Sequence, residues 1–353
     1  MGLIYKIYNL SYFRQKNRID IFDFLRGIAM LFVLLQHAGF PGYKLLLCFH
    51  MPLFFFLSGI VSGSREMPDF GHFFSSRFKR LMIPYFCFGL IDILYFKVSD
   101  LIKGIPYDFK WALYGLLTGQ YGYTPAHQGG IYWFFLTLFV AELLIYPIKK
   151  YLRKNKLLIL GGAIFFAFLS YISTHGLPMP LFTFEKSFMA ASFLLIGVFC
   201  HTYDYKLLDN EFHLWEVILI IFGFMGLVVS LKMNNEPVLM YLNRYGNYFW
   251  FFIGAISGIL SAIVGGKHLY LMLRSDIKFV YYRLLMWMGY NSLVLFIVHI
   301  FVNVWTEKCC TLIGISYFPL NLIAMFALGI PLCNMITYNF PWVLGQFERT
   351  KNN

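Results

Sequence analysis

Long apolar stretches recur throughout this chain, and they restrict its possible folds more than any other feature. They match the roughly 17–25 residues that a helix needs to cross about 30 Å of hydrocarbon. Of the 353 residues, 59% are hydrophobic and 13% are charged, whereas a soluble domain is about 25% charged. Because a backbone in lipid must satisfy its own hydrogen bonds, these stretches predict an all-α bundle within a membrane.

We predict ten transmembrane helices in a single domain, 1–353, with no separate soluble domain. The predicted spans are 22–40, 45–63, 82–98, 130–148, 157–173, 185–201, 214–232, 248–266, 284–304 and 319–340. An even number of crossings places both termini on one side. Most Lys and Arg residues lie on that side, which the positive-inside rule identifies as the cytoplasm. We therefore expect a multi-pass protein of the cell membrane.

The net charge of +12 raises the question of nucleic acid as a partner. We reject it, because the basic residues lie in short loops between apolar stretches and not on one soluble face. Anionic membrane lipid is the expected partner of this charge. The six cysteines include no Cys-x-x-Cys pair, and the P-loop and His-Glu-x-x-His motifs are absent from the sequence. The sequence thus predicts no metal site and no tightly bound cofactor.

The first predicted helix carries three ionisable residues: Asp23, Arg26 and His37. His37 lies eleven positions after Arg26, which is about 20° from full turns, so the two share one face. The rise between them is about 16 Å. Ionisable groups at such depth are costly and normally face a cavity or a partner. The stripe predicts a functional site, although Arg26 could also snorkel to the interface and His37 could bond between helices.

A basic cluster, Arg77, Lys79 and Arg80, lies in the stretch 70–85. Phe residues recur there at helical spacing, which predicts an amphipathic segment on the inner surface that ends before Pro84. Two interpretations remain open at this stage. The cluster could anchor the chain to anionic lipid, or it could bind a phosphorylated ligand, for which the arginine fork is suited.

Three further polar residues within or near predicted spans are weaker candidates. Glu142 lies well inside the fourth span and is a functional candidate by default. His299 lies in the ninth span, and His50 lies near the outer end of the second. The longest predicted outer loop, 99–129, is a candidate lid or substrate surface.

Five motifs in fixed order resemble the membrane acyltransferase-3 family. They are RIDIFDFLRGIAMLFVLLQH at 18–37, FHMPLFFFLSG at 49–59, RFKRLMIPY at 77–85, YWFFLTLF at 132–139 and GYNSLVLFIVH at 289–299. The phrase FHMPLFFFLSG is most similar to the branch of fucose 4-O-acetylase-like polysaccharide O-acetyltransferases. The similarity extends over about 18–340. The family's Arg-x₁₀-His pattern falls on Arg26 and His37, and its Arg-x-x-Arg pattern falls on Arg77 and Arg80.

The resemblance implies a ten-helix enzyme that transfers an acyl group, usually acetyl from acetyl-CoA, to a sugar hydroxyl. Acetyl-CoA would be a co-substrate whose phosphates contact Arg77, Arg80 and Lys79. The acceptor would be a glycan or a lipid-linked sugar. His37 would act as the general base, and Asp23 would hold Arg26. The main alternative is a transporter or flippase of a glycan or small solute, and a second is a glycan-assembly or lipid-scaffold protein without activity.

Overall fold

The computed structural model of the chain describes residues 20–63, 66–106, 108–119, 132–176, 181–203, 211–274, 280–315 and 318–347. Within these ranges every regular element is helical, apart from one isolated antiparallel bridge between Leu239 and Arg244. The α-helices are α1 (Asp20–His37), α2 (Tyr43–Gly63), α3 (Phe70–Arg77), α4 (Ile83–Ile102), α5 (Phe109–Thr118), α6 (Trp133–Tyr151), α7 (Lys156–His175), α8 (Phe184–Tyr203), α9 (Leu214–Met233), α10 (Tyr248–Leu273), α11 (Val280–Tyr290), α12 (Ser292–Ile313) and α13 (Leu320–Asn339).

Eight helical segments among the described residues are long and apolar enough to cross a membrane. Two other helices, α1 and α6, coincide with predicted spans but carry three Asp, Glu, Lys or Arg residues each. The predicted polytopic all-α bundle is confirmed. The two ends of the chain, 1–19 and 348–353, lie outside the described residues, so the side on which they lie stays a prediction.

The predicted end of a helix before Pro84 is wrong. Helix α3, a π-helical turn over Phe78–Met82 and helix α4 form one continuous helical segment, Phe70–Ile102. Pro84 cannot donate to the carbonyl of Arg80, and its ring would collide with that carbonyl in a regular α-helix. The wider π-turn just before the proline accommodates it. The sequence pattern suggested a break because it cannot show such a local change of helix type.

Helix α3 begins after an N-cap residue, Asp69, and packs alongside helix α6. The Asp69 side chain accepts a hydrogen bond from the His72 backbone N–H at 3.1 Å. This bond holds the pKa of the Asp69 carboxyl below its usual value. Further along, the ring of Phe74 lies 5.6 Å from that of Phe139 on α6. Rows of aromatic contact therefore place α3 alongside the middle of α6.

Two other expectations need correction. The predicted span 284–304 is two helices, α11 and α12, which meet at Asn291, whose side chain donates to the Trp287 carbonyl at 3.0 Å. The predicted outer loop 99–129 contains helix α5, and Tyr85 on α4 donates a hydrogen bond to the Leu116 carbonyl of α5. Within that candidate lid, residues 107 and 120–129 lie outside the described residues.

Close backbone contact fixes α1 against α11. A Cβ added at Gly27 would collide with the carbonyl oxygen of Leu285, and one added at Gly289 would collide with the carbonyl oxygen of Asp23. Small residues let membrane helices approach this closely. The two glycines thus hold the part of α1 that carries Asp23 and Arg26.

Candidate functional site

The two ionisable residues at the start of α1 form an ion pair. Arg26 Nη1 donates to Asp23 Oδ1 at 3.1 Å. Asp23 is 1% exposed, and Arg26 is the one residue from Ile21 to Met30 that is not buried. The predicted contact between Asp23 and Arg26 is therefore present, and it joins a buried carboxylate to a half-buried guanidinium.

The other end of α1 brings three histidines together. The imidazole rings of His37 and His299 have centroids 4.9 Å apart. His50 and His299 are both close enough to His37 to interact with it electrostatically. His37 is half-buried, whereas His50 and His299 are buried. We call these three residues the histidine cluster. They come from α1, α2 and α12. The fold therefore brings His37, the main candidate from the sequence for a functional site, next to two weaker candidates, His50 and His299.

Backbone contacts fix the tautomers of two members of the histidine cluster. His50 Nδ1 lies 2.7 Å from the Leu46 carbonyl oxygen, and His299 Nδ1 lies 3.2 Å from the Leu295 carbonyl oxygen. A carbonyl oxygen can only accept, so each Nδ1 carries a proton when the ring is neutral. Nε2 is then a basic nitrogen with a lone pair. For His299 this Nε2 is buried and has no hydrogen-bond partner among the described residues.

Two asparagines support the backbone at His37. Asn321 on α13 donates to the His37 carbonyl oxygen at 3.4 Å and also to the side-chain oxygen of Asn303 on α12. Asn321 is fully buried. The last carbonyls of a helix lack partners within that helix, and Asn321 supplies one for α1. The position of His37 thus depends on α12 and α13 as well as on α1.

Aromatic rings border the histidine cluster on one side. The Phe296 ring lies 5.6 Å from His299 and 4.8 Å from Phe134, which is at the start of α6. Phe54 of α2 lies 5.9 Å from Phe134. This apolar wall lowers the polarity around the imidazoles, and electrostatic interactions are stronger in such surroundings.

A second ion pair lies midway along α6. Arg77 Nε contacts Glu142 Oε2, and the two side chains are 15% and 10% exposed. The Arg77 guanidinium also lies 5.2 Å from the Phe73 ring centre. Glu142 was predicted as a functional candidate within its span. The structure pairs it with Arg77, so it belongs with the predicted donor site and not with the histidine cluster.

A cavity of about 170 Å³ lies beside this ion pair. Among the described residues its lining comes from the end of α2, the segment before α3, α3 itself and the end of α6: Ser62, Glu66, Met67, Pro68, His72, Phe73, Ser76, Arg77 and Lys149. Lys149 is 4% exposed. We call this space the basic cavity. It offers two cations and several hydrogen-bond donors, together with one carboxylate, that of Glu66. The cations and donors suit a phosphate group.

The three residues of the predicted donor cluster are not equivalent. Arg77 lines the basic cavity, but neither Lys79 nor Arg80 is among its described lining residues. Lys79 and Arg80 belong to the π-helical turn and are exposed. A turn with i→i+5 hydrogen bonds rotates less per residue than an α-helix. Residues three apart therefore diverge more across it than on a regular helix.

Sequence reasoning missed Lys149 and Asn321. Lys149 follows Glu142 by seven residues, which puts the two on one helical face within about 20°, so this spacing was a usable signal. Asn321 is a single amide at the start of an apolar stretch, and no pattern in the sequence connects it with His37. Sequence reasoning also missed a buried cluster of three residues, which are Glu216 at the start of α9 and Lys267 and His268 in α10.

Comparison with known proteins gives a family and no individual relative. No curated protein and no solved structure matches the chain. The model of the acyltransferase-3 family, described as an acyltransferase domain, matches residues 19–338. The match covers α1 to α12 and nearly all of α13, and so includes the histidine cluster, both ion pairs and the basic cavity. The chain belongs to the acyltransferase-3 family of membrane acyltransferases.

Proposed function

We propose that the chain is an O-acyltransferase that moves an acetyl group from cytoplasmic acetyl-CoA to a hydroxyl of a cell-surface or exopolysaccharide sugar. The histidine cluster is the observation that carries this proposal. It supplies basic imidazole nitrogens beside an apolar wall, at the far end of a helix that begins with the Asp23–Arg26 pair. The resemblance to the fucose 4-O-acetylase-like branch supports a sugar acceptor.

The reaction requires a base for a weakly acidic hydroxyl. The acceptor oxygen attacks the thioester carbonyl carbon, so a C–O bond forms and the C–S bond breaks. His37 takes the proton of the hydroxyl and then gives it to the leaving thiolate. General acid–base catalysis of this kind contributes about 10²–10⁴-fold to a rate. His37 is the half-buried member of the histidine cluster, and it is therefore the imidazole most accessible to an acceptor.

The basic cavity is the proposed contact for donor phosphates. Arg77 and Lys149 line it, and the ion pair with Glu142 holds the Arg77 side chain in place. Its volume suits one phosphate group, so the remainder of acetyl-CoA would extend out of it. Arg80 and Lys79 would contribute long-range attraction from the exposed surface. Arg26, held by Asp23, would neutralise charge on the route toward His37.

Acetyl transfer by purified protein is the test of the proposal. Detergent-solubilised chain, radiolabelled acetyl-CoA and extracted envelope glycan are incubated together, and the label in the glycan is counted after the donor is removed. We expect base-labile label in the glycan. Label that crosses proteoliposome membranes without becoming covalently bound would identify a transporter and contradict the proposal. Mass spectrometry of envelope glycans with and without the gene would then name the acceptor.

The donor route also requires a specific orientation in the cell membrane. We expect a reporter fused after residue 155 to be cytoplasmic and one inserted within 105–125 to be external. If the reporter after residue 155 is external, acetyl-CoA from the cytoplasm cannot reach the basic cavity from that side, and the proposed route is wrong.

A further inference from the structure

The orientation of a catalytic imidazole needs a partner, and His37 has no carboxylate partner among the described residues. A general base works best when its other ring nitrogen donates to a fixed acceptor, which selects the tautomer and the ring plane. The neighbouring groups that could accept from His37 are therefore of interest.

His299 provides such an acceptor. Its ring is fully buried, and its Nδ1 is engaged with the Leu295 carbonyl. Its Nε2 is left with a lone pair and no partner among the described residues. Burying a polar atom without a partner costs free energy. The burial of such an atom is explained if a ligand or a neighbouring group forms a hydrogen bond with it in the functional state.

The distance between the two rings suits this role. Their centroids are 4.9 Å apart and their planes are tilted by 58°. No hydrogen bond joins the two rings in this structure, because His299 Nε2 has no partner among the described residues. At this centroid separation, however, a turn of the His37 ring is enough to bring one of its N–H groups within about 3 Å of that nitrogen. Phe296 packs against His299 at 5.6 Å and limits its rotation.

We propose that His299 is a positioning residue whose Nε2 accepts a hydrogen bond from a ring N–H of His37 when the His37 ring turns toward it to bind the acceptor. Held in this way, His37 presents its other nitrogen, unprotonated, to the acceptor hydroxyl. His299 thus replaces the carboxylate that orients a catalytic histidine in other acyl-transfer enzymes. This role rests on the proposed function, because it assumes that His37 is the base.

The inference separates His299 from a second base and from simple packing. A second base would have to exchange protons, so no side chain without a titratable group could replace it. A packing residue would be replaced well by an apolar side chain of similar size. A positioning residue requires an acceptor atom at one place and nothing more.

Three variants distinguish these roles: His299→Gln, His299→Met and His299→Leu. The amide oxygen of Gln can accept the hydrogen bond from His37, whereas Met and Leu offer an apolar side chain of comparable size. Thr306→Val is the matched control, because Thr306 is a buried residue of α12 that also bonds the carbonyl four residues before it. Acetyl transfer is measured per unit of inserted protein, with kcat and the KM for acetyl-CoA determined separately.

We expect His299→Met and His299→Leu to lower kcat by about 10²-fold, since a misplaced catalytic group costs on that order. The KM for acetyl-CoA should be unchanged. His299→Gln should retain most of the kcat, and Thr306→Val should match the unmodified protein. High kcat in the Met and Leu variants would overturn the proposal in favour of packing. An equal loss in all three variants would overturn it in favour of a titrating role.

Failure of this inference is distinguishable from failure of the proposed function. If no variant or unmodified protein transfers acetyl to glycan, the proposed function is wrong. If the unmodified protein is active and the three His299 variants fail to separate as described, only the role of His299 is wrong.

Discussion

Two buried polar clusters in this molecule differ in whether their side-chain atoms have hydrogen-bond partners. Glu216 accepts from Lys267 at 2.7 Å with one oxygen and from His268 at 2.6 Å with the other, and it also pairs with the backbone of His213. We call this set the glutamate cluster. In the histidine cluster, by contrast, His299 Nε2 has no hydrogen-bond partner among the described residues.

We propose from this difference that the glutamate cluster serves the fold and that the histidine cluster serves chemistry. The glutamate cluster joins the start of α9 to α10, and the ring of Phe212 covers His268 at 4.1 Å. Both of its carboxylate oxygens are satisfied, so it needs no ligand. In the histidine cluster, His37 is half-buried, and the basic Nε2 of the neighbouring His299 has no hydrogen-bond partner among the described residues. A polar atom left unsatisfied in a buried place is a cost to stability that a functional role explains.

The largest expected effect on stability is in the glutamate cluster. Glu216→Gln removes the carboxylate that pairs with the buried Lys267, and breaking such a pair costs about 3–5 kcal/mol. We expect a large fall in the free energy of unfolding of the detergent-solubilised protein, measured by denaturant titration. The double variant Glu216→Gln/Lys267→Met removes both charges and should recover much of it. Glu307→Gln, on an exposed position of α12, is the control for loss of one carboxylate.

Activity per folded molecule is the second readout for the same variants. The double variant should transfer acetyl normally once its amount of folded protein is taken into account. If it is stable but inactive, the glutamate cluster takes part in chemistry and the contrast between the two clusters fails.

The Arg77–Glu142 pair lies beside the basic cavity, so replacing Arg77 tests whether this ion pair serves donor binding or, like the glutamate cluster, stabilises the fold. Arg77→Gln removes a hydrogen bond to a charged group, which is worth about 1.5–3 kcal/mol. We expect the KM for acetyl-CoA to rise about tenfold to a hundredfold, with kcat at saturation little changed. Isothermal titration with CoA gives an independent measure of donor affinity. A fall in stability with unchanged KM would place this pair with the glutamate cluster as a structural element.

The smallest effects are expected at the exposed basic residues. Arg80→Gln and Lys79→Gln remove charges that solvent screens, and such contacts are worth at most about 1 kcal/mol. We expect the KM for acetyl-CoA to rise by no more than about fivefold, and the rise should shrink as salt is added. Lys154→Gln removes the same charge from another exposed position and is the control. An effect of Arg80→Gln as large as that of Arg77→Gln would show that the basic cavity is not the main phosphate contact.

The helices were predictable from local pattern, and the pairings between them were not. Apolar stretches of sufficient length gave the spans, and helical periodicity placed Asp23, Arg26 and His37 along one helix. The contact of Arg77 with Glu142 joins residues 65 positions apart, and the histidine cluster draws on three helices. Which faces of two apolar helices meet depends on close packing and on small residues such as Gly27 and Gly289, and one sequence does not specify these contacts.

Acetyl transfer by the His37→Gln variant tests the central claim of this account most directly. Glutamine keeps hydrogen-bonding capacity at this position but cannot take a proton at neutral pH. Acetyl incorporated into glycan is measured per unit of membrane-inserted protein for the variant and for the unmodified chain. We predict a loss on the order of 10²–10⁴-fold at an unchanged level of inserted protein. Substantial activity in His37→Gln would contradict the assignment of His37 as the base.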